Sequence, residues 1–306
     1  MPTLHPHRSM LYMPASNARA LEKSKKLTAD GYIFDLEDAV SPEQKALART
    51  QALTAAALAK ASGPDRGRKI IIRANGLDTP WGLEDLKAIA ASDAHGVLLP
   101  KIYGPQDVLA AEKVLKEAGA PDTLERWIMM ETPAAFLNAA AIAASLLKSS
   151  GQSVSAGQSG LTGMVIGSND LIKDMRARHT DGRAPILAAL GLAVLAARAN
   201  GLVLIDAVYG QIQNDAGLRA ECAQGLAFGF DGKSLIHPNQ INAANEIFAP
   251  SPQDIAYARQ IITAHADAVA AGRAVATLNG QMIEALHVED AKRQVALARQ
   301  ISAFHP

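Results

Sequence analysis

The 306-residue sequence contains a single cysteine, Cys222. That excludes a disulfide framework and a cysteine-ligated zinc site, and it fits a reducing, cytoplasmic compartment. The thiol lies in an Ala-rich helical stretch and reads as an inert small hydrophobe. Neither sign of charge is in excess, since 30 Lys and Arg balance 30 Asp and Glu. A groove for nucleic acid and a polybasic membrane surface are therefore not expected, and any anionic ligand must be held by a few placed cations. The N-terminal MPTLHPHRSMLYMP lacks the hydrophobic core of a signal peptide. No apolar run is long enough for a membrane span. No His/Cys cluster has zinc spacing, and no Gly-rich phosphate fingerprint follows the first β-rich run.

What the sequence does contain is a repeat. Short β-rich runs recur: SMLYMP from Ser9, YIFDLE from Tyr32, KIIIRAN from Lys69, GVLLPK from Gly96, WIMMET from Trp127, GMVIGSND from Gly163, LVLIDAVY from Leu202 and GKSLIHP from Gly232. Most are nearly continuous apolar runs, the pattern of parallel strands covered on both faces. Segments of helical periodicity separate them, and each unit has roughly the 30 residues of a βαβ repeat. Eight such units predict a (β/α)8 TIM barrel over residues 1–248. An open doubly wound sheet is the alternative, ranked lower for want of the glycine fingerprint. Residues 249–306 read as a helical extension: a capped amphipathic helix, an Asn-Gly turn and a last helix. The Ser/Gly-rich stretch at 149–160 reads as a loop.

Barrel active sites lie at the C-terminal ends of strands. Polar residues gather there in this sequence: Asn17, Glu37, Arg73, Lys101, Glu131, Asp170, Asp206 and His237. Period-two alternation turns Asp35 and Glu37 to the barrel mouth, with Met129 and Glu131 on the same inner face. Carboxylates converging on one volume call for a cation among them. Mg2+ uses one or two protein carboxylates and leaves positions for substrate oxygens. Glu131 and Asp170 suit that role. Glu37 and Asp38 either hold metal-bound waters or cap the following helix. Arg73 is placed to fork onto a substrate carboxylate. A metal with one arginine suits an α-keto or α-hydroxy acid and favours carbon–carbon cleavage beside a carbonyl.

The blocks RSMLYMPASN, FDLEDAV, RANGLDTPWG, LLPKI, METPAA, GSNDL and GFDGKSLIHPNQI, in this order, resemble the citrate lyase beta-subunit family. That family includes malyl-CoA and citramalyl-CoA lyases and sits within the HpcH/HpaI aldolase superfamily. The resemblance runs from about Arg8 to the C-terminus. It implies a Mg2+-dependent lyase that cleaves a 3-hydroxy-acyl-CoA thioester to acetyl-CoA and a 2-keto acid. It also implies a homo-oligomer, a trimer or hexamer. By motif, Arg73 matches the arginine for the substrate carboxylate, and Glu131 and Asp170 match the metal ligands. Tyr12, Asn17 and Lys23 match first-helix positions that contact the coenzyme. Ile236 and His237 match the lining of the thioester pocket. The segment MIEAL puts Glu284 where the family carries a catalytic aspartate that enters a neighbouring subunit's site, and Leu286 where proline is usual. A one-methylene displacement of a reacting carboxyl can cost around 10²-fold in rate. The competing readings are a beta subunit of a citrate lyase complex acting on a citryl thioester of an acyl-carrier protein, a CoA-independent class II pyruvate aldolase, and a non-catalytic binding protein.

Overall fold

Eight parallel strands pair in chain order, and the last pairs with the first, so the sheet closes. In the computed structural model, which describes residues 5–61, 68–146 and 160–304, the strands are β1 (Ser9–Pro14), β2 (Gly31–Asp35), β3 (Lys69–Arg73), β4 (Gly96–Leu99), β5 (Glu125–Met130), β6 (Leu161–Ile166), β7 (Val203–Asp206) and β8 (Gly232–Leu235). The barrel expected from the repeat is the barrel observed, and the open sheet is excluded by the β1–β8 pairing. All but the last residue of the Ser/Gly-rich stretch at 149–160 lies outside the described residues.

Helices separate successive strands: α1 (Ala18–Ser24), α2 (Lys45–Ala61), α3 (Gly82–Ala90), α4 (Pro105–Glu117), the short α5 (Pro133–Leu137) and α6 (Ala139–Ala143), α7 (Ser168–Asp174), α8 (Leu187–Ala199) and α9 (Asp215–Phe228). Beyond β8 comes α10 (Ile241–Ile247). Met10, Ile33, Ile71, Leu98, Trp127, Met129, Val165 and Ile205 fill the barrel interior. Alternate residues of the same strands, such as Phe34, Ile72 and Leu204, are equally buried, which is why these runs show no hydrophobic alternation.

Asp181–Ala199 meets the length and composition of a membrane span, although no such run was expected. It is not one continuous helix. Gly182 and Arg183 have left-handed φ of 72° and 60°, so the regular helix is α8, 13 residues long. That is well short of the ~20 a bilayer requires. Leu190, Ala193, Ala196 and Ala197 bury one face of α8.

The described residues divide into two compact units, His7–Asn245 and a second that runs from Glu246 onward with the residues before His7. The second unit contains α11 (Pro252–Ala270), a hairpin of β9 (Ala276–Leu278) and β10 (Gln281–Ile283), and α12 (Ala285–Phe304). Ser251 caps α11 reciprocally: its Oγ accepts from Asp254 N–H at 3.1 Å, and Asp254 Oδ2 accepts from Ser251 N–H at 2.9 Å. The hairpin turns at Asn279 and Gly280, whose φ values of 51° and 78° are those a two-residue turn of matching twist demands. Ala268, Ala276, Ile283 and Val288 form one small core cluster of this unit, and Ala258, Ala291 and Val295 a second.

Candidate active site

The mouth of the barrel is built first by the register of β2 on β3. Asp35 lies opposite Arg73, and both continue the inner-facing series of Ile33 and Ile71. Arg73 Nε donates to Asp35 Oδ1 and its Nη2 to Oδ2, each at 2.7 Å. The remaining terminal nitrogen, Nη1, lies 2.9 Å from Glu37 Oε2 and 3.7 Å from Asp38 Oδ2. The guanidinium fork expected to meet substrate is thus taken by Asp35, and only its outer edge faces the mouth. Asp35 also accepts from the backbone N–H of Glu37 at 2.9 Å and Ala39 at 3.0 Å. Burial raises its pKa, but the Arg73 charge and these four donors win and hold it below the usual value. The Tyr12 ring lies 4.9 Å from the guanidinium carbon, and its hydroxyl meets Met129 Sδ at 3.2 Å. Burial pushes the Tyr12 phenol well above its ordinary range.

A second cation stands among the acids. Lys101 Nζ lies 2.5 Å from Asp170 Oδ2, 3.6 Å from Glu37, 3.7 Å from Asp38 and 3.8 Å from Glu131. Strand alternation does not put it there, because Leu98 is the inward residue of β4 and Lys101 has the opposite parity. Its backbone turns into the left-handed region, φ 50°. That conformation is costly for a side chain with a Cβ and typical of functional sites. The turn also aims Lys101 N–H at Glu131 Oε1, 2.7 Å away.

Glu131 directly follows β5 and is 1% exposed. A Cβ at Gly167 would collide with the Glu131 Cβ and stand 2.8 Å from its Oε2, so glycine clears the space the carboxylate occupies. Asp170 is not a strand end as expected; it lies in the first turn of α7, four residues beyond β6. Glu37 and Asp38 are not the cap, because the turn of helix before α2 runs Pro42–Gln44 with Ser41 at its N-cap position. Glu37 faces Arg73 and Lys101 instead. Burial, with Glu131 and Asp38 adding repulsion, pushes it up to about 7 against the pull of Arg73 and Lys101. Burial likewise raises Glu131.

These residues suit a hard divalent cation. The donors are carboxylate oxygens, Gly167 leaves the Glu131 carboxylate room, and the buried Glu37 Oε2 has no hydrogen-bond donor of good geometry. Two acids with raised pKa values are what an added positive charge would relieve. Among the described residues no group of three or more His, Cys, Asp or Glu is placed to hold a metal; two carboxylates with waters would be the mode typical of Mg2+. Lys101 holds the place between Glu131 and Asp170, so a cation there would share or displace the ammonium.

Other expected site residues fall elsewhere. Asp206 ends β7 but faces away from the interior, since Ile205 points inward. It pairs with Arg183 Nη1 at 2.6 Å and Lys233 Nζ at 3.3 Å. Tyr12 belongs to β1 rather than the first helix. Asn17 is the N-cap of α1, its Oδ1 accepting from Ala20 N–H at 3.1 Å, and Lys23 is an exposed residue of that helix. His237 Nδ1 accepts from Asn239 N–H at 3.2 Å, while Ile236 is exposed beside it. Glu284 lies in the second unit, where its backbone N–H donates to His287 Nδ1 at 3.0 Å. Cys222 is buried, and burial pushes its thiol up to about 11, as an inert thiol requires. Two participants escaped sequence reading. Asp35 as the partner of Arg73 was detectable from two inner residues on adjacent strands; Gly167 had no sequence signal beyond its place before Asp170.

Comparison with known proteins is concordant. Residues 8–238 match the family model described as HpcH/HpaI aldolase/citrate lyase. The (3S)-malyl-CoA thioesterase of Cereibacter sphaeroides (strain KD131 / KCTC 12085) is 44% identical over 301 residues, covering 98% of this chain and 97% of that protein. The citrate lyase subunit beta of Escherichia coli (strain K12) is 32% identical over 291 residues, 93% of this chain and 91% of that protein. A crystal structure of CitE from Mycobacterium tuberculosis in complex with magnesium, acetoacetate and coenzyme A superposes with a TM-score of 0.73 at 27% identity, covering 96% of this chain and 98% of that one.

Proposed function

Because the chain belongs to the HpcH/HpaI aldolase/citrate lyase family and is an enzyme of that lyase type, we propose that it acts, with Mg2+, on a malyl-type CoA thioester and cleaves it to acetyl-CoA and a 2-keto acid. The observation that carries the substrate class is 44% identity, over nearly the whole chain, to proteins named for malyl-CoA. The observation behind the chemistry is the mouth itself: carboxylates converging on one volume beside an arginine edge. Glu131 and Asp170 would hold the metal, with Glu37 and Asp38 accepting from its waters. Bound there, Mg2+ supplies Lewis acidity toward a hydroxyl or keto oxygen.

The chain's own residues do the rest. Arg73 presents its outer N–H groups to the substrate carboxylate, while Asp35 and the Tyr12 ring keep the guanidinium from turning. The carbon–carbon bond next to the hydroxyl-bearing carbon breaks: the hydroxyl gives its proton to water, its C–O bond becomes the keto C=O, and the electron pair of the broken bond passes to the acetyl carbon, which then takes up a proton. We assign that proton to Glu284 of a neighbouring copy in a homo-oligomer. Met282 and Leu286 flank it and are 60% and 62% exposed on the single chain, an apolar margin that association would cover. Asn17, Lys23, Ile236 and His237 would meet the coenzyme.

A second reading is hydrolysis of the same thioester, favoured by the names of the relatives at 44% identity. Incubation with (3S)-malyl-CoA and Mg2+ separates the two. Lyase action releases glyoxylate and acetyl-CoA with no free thiol, whereas hydrolysis releases malate and free CoA thiol. Turnover of citryl-CoA alone would favour the citrate lyase subunit reading. Mixing Glu131→Gln with Glu284→Ala protein tests the shared site: activity should return on subunit exchange, and continued inactivity after confirmed exchange counts against Glu284 acting on a neighbour.

A further inference from the structure

The acidic turn after β2 is held from behind by a buried ammonium. Lys45, the first residue of α2, is 6% exposed, yet no carboxylate accepts from it. Its Nζ donates to Leu36 O at 2.8 Å, Glu37 O at 2.7 Å and Asn75 Oδ1 at 2.7 Å, three acceptors for three N–H groups. The Trp81 ring lies 5.3 Å from the same nitrogen. Asn75 completes the brace: its Nδ2 donates to Leu36 O at 3.0 Å and Asp85 Oδ2 at 2.6 Å. Arg49 Nε donates to the other oxygen of Asp85 at 2.6 Å.

Burying an ammonium whose three hydrogen-bond acceptors are neutral costs desolvation, offset in part by the nearby charges of Asp35, Glu37, Asp85 and Asp38. What the charge does locally is specific. It fixes two successive carbonyls, those of Leu36 and Glu37, and so both peptide planes that set the direction of the Glu37 side chain. We propose that Lys45 is a positioning residue that holds the Glu37 carboxylate between Arg73 and Lys101. This rests on the reading of the barrel mouth as the reaction site. Lys45 touches none of the groups that meet substrate; it acts through the backbone of Glu37, with Asn75 as its own support.

The test is a double-mutant cycle on the full chain. Lys45→Met should lower kcat on malyl-CoA by about 10²-fold, the scale of a displaced site group, with KM little changed. In a Glu37→Gln background the same substitution should lower kcat by no more than about twofold, the scatter of an uncoupled pair. The rise in melting temperature on adding Mg2+ should shrink in Lys45→Met and in Glu37→Gln alike. Native-like kcat and a native-like Mg2+ response in folded Lys45→Met would overturn the proposal. So would multiplicative losses in the double variant, which would make Lys45 a support of the fold alone. Should Lys45→Met not fold, Lys45→Gln, which keeps one donor, enters the same cycle under the same criteria. If the wild-type protein turns over no malyl-, citramalyl- or citryl-CoA, the functional reading fails, and the Mg2+ response still decides the brace.

Discussion

At the scale of single residues, the mouth is a balance of charges that one added cation would change. Glu37 has an ordinary pKa of 4.5 and is raised to about 7. The folded, metal-free protein therefore keeps a proton there that the unfolded chain releases. The stabilisation is complete below 4.5 and is lost as pH rises through about 7. A divalent cation beside Glu37 reverses the sign of its surroundings and expels that proton. Mg2+ binding at about pH 6 should release protons, seen as a calorimetric heat that depends on the buffer's ionisation enthalpy. A heat independent of buffer would place the metal away from Glu37. Gly167 makes a steric prediction. Gly167→Ala forces the added methyl against Glu131, so Mg2+ affinity should fall about 10–100-fold, as when the support of a ligand is disturbed. Unchanged affinity in a magnesium titration would move the metal off Glu131.

At the scale of elements, the β7–β8 seam carries a second ionic cluster that is structural. Lys233 Nζ is fully buried and donates to Glu221 Oε1 at 2.8 Å and Ala207 O at 2.6 Å, with Asp206 Oδ2 at 3.3 Å. Arg183 reaches the other oxygen of Asp206 at 2.6 Å. The cluster ties the strand end of β7 to β8, to α9 and to the turn before α8. Asp206→Ala leaves the buried ammonium one acid short and should cost about 3 kcal/mol, the low end for breaking a buried pair, because Glu221 remains. Urea unfolding measures the loss. The double variant Asp206→Leu with Lys233→Met removes both charges and should recover most of it. A double variant as unstable as the single one would mean that the site cannot repack.

At the scale of the whole molecule, the proposed association follows from the second unit. Its core is small, and the hairpin and the start of α12 leave Met282 and Leu286 in solvent. Light scattering should give a multiple of the chain mass, a trimer or hexamer on our reading. Met282→Lys with Leu286→Lys should lower it if that margin is the interface. A strictly monomeric wild-type protein would remove Glu284 from the reaction.

Much of this was legible in the sequence. Eight apolar runs spaced by helical segments determine a closed parallel barrel, because runs buried on both faces need helices outside and a filled interior within. The cap of α11 and the Asn279–Gly280 turn were readable because their causes are local, whereas the β9–β10 hairpin around that turn was not expected of a helical extension. The convergence of Glu37, Arg73 and Glu131 also followed, since period two and strand order suffice to bring inner residues to one end. Position at a strand end did not tell which of the other polar residues face the axis. Asp206 ends its strand as Arg73 does, yet it turns outward, because a strand apolar on both faces carries no mark of its inner side until register with its neighbours is set. Lys101 reaches the acids only through a left-handed backbone that no spacing rule foretells, and Arg73 is turned by Asp35 across a strand pair. Local chemistry and periodicity were the sequence's to determine. Register, the pairing of charges across strands and the facing of a residue such as Asp206 were decided by closure of the barrel, because those energies exist only between segments far apart in the chain.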